Sequence, residues 1–145
     1  MTTKPTLPTL DDAEIRARLD EVTHALRPLH KALVDLVRND YEKRQGRPVG
    51  GPVQLFQLLT QDPFFLWLHP MSALMAEIDE LYDQKEPIAV DAVVAVRTTL
   101  ESLLGSRGQE PSPDSFVSRY LEILQNDPDV VMAHARVRRA LDRLY

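Results

Sequence analysis

From Ile15 to Val37 the chain keeps to one spacing. Ile15, Leu19, Val22, Leu26, Leu29, Leu33 and Leu36 follow one another in steps of three and four, with Val37 beside the last. On a helix of 3.6 residues per turn these side chains form one apolar stripe. A stripe of that length excludes a strand, and it obliges other elements to cover it. Asp11 or Asp12 suits the helix start, and "RQGRPVGGP" ends it. Pro28 falls inside the pattern, which predicts a kinked helix or two helices sharing a face.

The remaining segments speak the same language. After a Gly/Pro loop at 46–52, Val53 to Gln61 reads as a short helix, with Pro52 fitted to its first turn. Asp62-Pro63 then signals a new start, aspartate as cap and proline at the first helical position. The third helix carries a broad stripe of Phe64, Trp67, Leu68, Met71, Leu74, Met75, Ile78, Leu81 and Tyr82, widened by Phe65, Ala73 and Ala76. Pro70 should kink it past Trp67, because the ring takes the place of an amide donor and crowds the Leu66 carbonyl. A fourth helix runs from Pro87 to about Leu104, with Gly105 placed to end it. Within it, "IAVDAVVAV" favours sheet by composition, yet "RTTLESLLG" carries it on at helical length. "SRGQEPSP" reads as a linker, and Ser112-Pro113-Asp114 is expected to open a short fifth helix holding Phe116, Val117, Tyr120, Leu121 and Leu124. The last helix runs from Pro128 towards Leu144, and its Asp127-Pro128 start repeats Asp62-Pro63. The expectation is an all-α helical bundle of four longer helices, the first and third kinked at Pro28 and Pro70, plus two short ones. Residues 1–10 are expected to form a disordered N-terminal tail, and 11–145 a single domain.

Composition narrows the function classes. Cysteine is absent, which removes thiolate metal sites and cysteine nucleophiles and fits a reducing compartment. The opening "MTTKPTLPTLDD" lacks the apolar core of a signal peptide, and the longest apolar runs are too broken or too short to span a bilayer. A cytoplasmic location with no membrane partner is expected. A net charge of −5 disfavours general nucleic-acid affinity.

Histidines are the first place to look for chemistry in a bundle, where facing helices can hold a metal between them. A di-iron centre needs two Glu-x-x-His pairs; only Glu21-Val-Thr-His24 occurs, with His24 on the polar side of its helix. There is no His-x-x-x-His and no His-Glu-x-x-His. His30, His69 and His134 each border an apolar stripe. Converging, they would make a three-nitrogen site for a metal, with haem or a small apolar ligand as variants; apart, each packs at its stripe edge and satisfies a local polar group. Elsewhere "RPVGGP" lacks the Gly-Lys-Ser/Thr ending of a phosphate loop, and no Gly-x-Ser-x-Gly elbow occurs. No cofactor is expected.

Two surfaces suit contact instead. Arg136, Arg139 and Arg143 share a face of the last helix, either as partners for acids such as Glu77, Asp79, Glu80 and Asp83 or as a docking face. Phe65, Trp67 and Met71 sit in a stripe broad enough to serve two neighbours. The expected function is therefore non-enzymatic protein–protein interaction, with self-association as a homodimer. The alternative is a metal-, haem- or small-ligand-binding bundle built on the three histidines.

Overall fold

The computed structural model describes residues 10–105 and 115–145. Seven helices make up the described regular structure, with no strand: α1 (Asp12–Gln45), α2 (Pro52–Gln61), α3 (Pro63–Leu66), α4 (His69–Asp83), α5 (Val90–Leu104), α6 (Phe116–Asn126) and α7 (Pro128–Asp142). None of them is long and apolar enough to cross a membrane. Residues 1–9 of the expected tail lie outside the described residues, as do the 106–113 linker and the Ser112-Pro113-Asp114 helix start. Leu10, counted in that tail, is partly buried against the core.

The spine is α1. Its N-cap is Asp11, whose carboxylate accepts the Glu14 N–H at 2.8 Å. Gly46 ends it with φ of 73°, a left-handed conformation that glycine adopts without a Cβ clash. Its 34 residues make a rod about 50 Å long. Pro28 does not divide it: the helix runs through the proline, which sits on the exposed side where the carbonyl it deprives can meet water. The expected stripe is the buried face, with Leu19, Val22, Leu26, Leu29 and Leu33 wholly enclosed. α3, α4 and α7 pack directly on α1, while α5 bridges α4 to α6 and α6 leads back to α7.

The expected third helix is two helices. α3 stops at Leu66, and Pro70 stands in the first turn of α4, where a missing N–H costs no bond. Between them the chain tightens: the Leu68 N–H donates to the Phe65 carbonyl at 3.1 Å, and the Met71 N–H to that of Leu68 at 3.2 Å. These three-residue steps place Phe65, Leu68 and Met71 above one another, as in a 3₁₀ helix, and all three are buried. Phe65 and Met71 are therefore core residues with no exposed surface, which corrects their reading as an interaction face. Trp67, on the other side of the tightened turn, stays half-buried.

The two Asp-Pro starts work alike. Asp62 accepts the Phe64 N–H at 2.8 Å, and Asp127 accepts those of Asp129 and Val130 at 3.0 and 3.1 Å. The helices they open differ in length, four residues in one case and fifteen in the other. The fourth helix begins at Val90 instead of Pro87, because residues 82–88 are tied to α1. There Arg16 donates to the Tyr82 and Glu86 carbonyls, and Asp12 accepts the Ile88 N–H at 2.8 Å.

Replacing Phe65 should be the most damaging change in this region. Its ring is fully enclosed, with centroids 5.2 Å from Tyr41 and 5.8 Å from Phe64. Phe65→Ala is expected to lower unfolding free energy by about 3–5 kcal/mol in a urea titration, against less than about 1 kcal/mol for exposed Leu66→Ala. Equal losses at the two positions would refute the register described for the α3–α4 step.

Candidate functional site

The three histidines do not assemble. Among the described residues no group of three or more histidines and carboxylates could hold a metal ion. His69 is exposed at the start of α4, where its carbonyl accepts the Ser72 hydroxyl at 3.1 Å. His30 is half-buried on α1, and burial holds its pKa below the usual value. His134 faces α6, and its Nδ1 lies 2.6 Å from the Tyr120 hydroxyl. Burial pushes the Tyr120 phenol well above its usual range, so it keeps its proton and can donate to the Nε2–H tautomer of a neutral imidazole. His134 is in turn held below its ordinary pKa, first by desolvation and then by Arg138.

That pair ends an aromatic file. Trp67 packs on Phe116 at 5.6 Å, Phe116 stacks on Tyr120 at 5.6 Å, and Tyr120 meets His134 at 5.7 Å. The file joins α3, α6 and α7, three elements far apart in sequence. At its outer end lies a groove of about 470 Å³ between α1, α3 and α6. Leu36, Val37, Phe64, Trp67 and Ile123 supply its apolar lining. Two guanidinium groups lie over its aromatic rings, Arg44 5.5 Å from Phe64 and Arg119 5.9 Å from Trp67. Asp40, 3.4 Å from Arg44, together with Glu122 and Asp127, brings negative charge to the same rim.

The arginine face of α7 has a different neighbour from the one expected. α7 packs on α1, and Arg143 lies 3.6 Å from Glu21 there, while its carbonyl accepts from Arg18. Arg136 and Arg139 border a shallow cleft of about 350 Å³ beside Asp20, Glu21 and His24. Asp20 is shared with His24, whose Nδ1 is 2.9 Å from the Asp20 carbonyl. Glu77, Asp79, Glu80 and Asp83 are exposed on α4 and do not meet these arginines.

The surface that sequence reasoning passed over is α2. None of its residues is buried; Leu55, Leu58 and Leu59 pack partly against the core, whereas Val53 and Phe56 are 73% and 65% exposed. A signal was available, since "PVQLFQLLTQ" carries no charge at all, which is unusual for a surface helix. Arg44, Phe64, Arg119 and Tyr120 were also missed as site residues, since only the tertiary fold brings residues of α1, α3 and α6 together.

No protein-family model matches this chain, and no curated protein or solved structure matches it. Its function rests on the chemistry of its own residues.

The Tyr120–His134 pair and half-buried His30 give stability a defined pH dependence. Both imidazoles have folded-state pKa values below their unfolded value of about 6.5. The unfolded chain therefore binds more protons as pH falls, so these groups reduce stability below about pH 6.5 and leave it unaffected above. Urea midpoints measured from pH 8 to 5 should fall on the acid side, and His134→Gln should flatten that fall. A midpoint that rises on acidification would contradict the assignment of neutral, half-buried imidazoles.

Proposed function

We propose that this protein acts through protein–protein contact and that α2 is its contact surface. One observation carries the reading: a ten-residue helix without charge turns Val53 and Phe56 outward. A helix of that length is marginal in water on its own and draws its stability from packing. The packing α2 has, chiefly against α3, leaves its aromatic residue outside. Phenylalanine exposed on a helix without charge suits the core of an interface, where charge is depleted and aromatic residues are enriched. Lack of the catalytic spacings sought in the sequence is in keeping with a binding role.

A second reading, small-ligand binding, moves from the histidines to the groove at Trp67. Its volume of about 470 Å³ falls within the range of small-molecule sites, and its rings and guanidiniums suit a flat apolar body carrying an anionic group. Trp67 is the only tryptophan, so its fluorescence reports on that groove alone. Titration with 1-anilinonaphthalene-8-sulfonate should quench Trp67 with saturation, and Arg119→Ala should weaken this about tenfold. Linear, unsaturable quenching would remove the ligand reading.

The contact reading is tested by placing a photo-crosslinking phenylalanine analogue at position 56 in cells. Discrete protein adducts are expected from position 56 and none from position 31, on exposed Lys31 of α1. Phe56→Ser should change folding stability by less than about 0.5 kcal/mol, as its exposure dictates. A position 56 that yields no discrete adduct would sink the proposal.

A further inference from the structure

Two oppositely charged helix faces carry side chains without an ion-pair partner among the described residues. On α7, Arg136 and Arg139 are exposed and have no ion-pair partner among the described residues, while Arg143 is taken up by Glu21. The acids nearest to them on α1 are Asp20, which lies beside His24, and that same Glu21. On α4, Glu77 and Glu80 are exposed and likewise lack an ion-pair partner among the described residues. Like charges three residues apart on a helix repel one another, so each face gains when an opposite face covers it.

The two faces also share a spacing. Met132, Arg136 and Arg139 follow at steps of four and three, as do Ala73, Glu77 and Glu80. On each helix the charged pair is separated by about 4.5 Å along the axis. Met132, 71% exposed, puts an apolar side chain one turn before the cations, where α4 carries small alanines. Aligned in parallel, apolar meets apolar and cation meets carboxylate.

We propose that the exposed face of α7 docks on α4 of a second copy of this chain, Arg136 against Glu77 and Arg139 against Glu80. The occupant is a second copy because the chain carries both halves of the match. Charge complementarity of this kind contributes mainly to specificity and encounter rate, so the association is weak and salt-sensitive. It goes beyond the contact reading and uses no residue of α2.

Light scattering and sedimentation of the whole chain test it. At about 0.01 M salt the mass should rise with concentration above the 16.5 kDa of one chain, and at about 1 M salt it should return to one chain. Arg136→Glu/Arg139→Glu makes both faces acidic, and Glu77→Arg/Glu80→Arg makes both basic. Each variant should self-associate at least about tenfold more weakly, with an unchanged helical circular dichroism spectrum. An equimolar mixture of the two should associate again, as should the chain carrying all four changes. Val53→Ser/Phe56→Ser should leave this association intact. A monomer at every concentration in low salt overturns the proposal, as does self-association indifferent to the charge reversals. Association lost only in the Val53→Ser/Phe56→Ser variant overturns it too and assigns self-contact to α2.

Discussion

The buried stripe of α1 stretches from Ile15 to Val37, about 33 Å of helix that has to be shielded from water. No other helix of the described structure exceeds fifteen residues, or about 22 Å, so none can cover the stripe alone. The cover is assembled from pieces, α3 and α4 on one part and α7 on another, with α5 and α6 packed between the covering helices. Most of the irregular features arise from that requirement. The break at Trp67–Leu68, the ties from Arg16 to residues 82 and 86, and the Asp-Pro starts all position short helices along a long one.

The helices, their caps and the α1 stripe were legible because they depend on residues close in sequence. Asp11, Gly46, Asp62 and Asp127 act where their residue types place them. Burial within the expected third helix was misread for a physical reason. A period of 3.6 residues per turn does not carry across a step that turns every three, so Phe65 is enclosed while Phe64 is only partly covered. The site was less legible still. Whether His134 meets a metal or a phenol depends on how α6 and α7 approach, which no local pattern encodes. Arg44 and Arg119 read as ordinary surface arginines until aromatic rings from α3 are placed beneath them.

The aromatic file shows how polar and apolar demands are met together. Tyr120 is fully enclosed, and a phenol hydroxyl inside a core needs a partner. His134 supplies a hydrogen-bond partner without bringing a charge, because the same burial that raises the phenol's pKa lowers the imidazole's. Among the described residues no buried side-chain polar atom is left without a partner. The described interior is thus satisfied, while neutral α2, Arg136 and Arg139 of α7 and the acids of α4 face outward.

Because α2 packs Leu55, Leu58 and Leu59 against the core and turns Val53 and Phe56 outward, only its outward positions are nearly uncoupled from the fold. Val53 and Phe56 can be exchanged for other side chains while the α1 stripe and its cover stay as they are. On the proposed contact reading, a lineage of such chains could change its partner by drifting at those outward positions alone. On that reading the bundle, with the leucines of α2, would be a constant scaffold, and the outward side chains of α2 its interchangeable label.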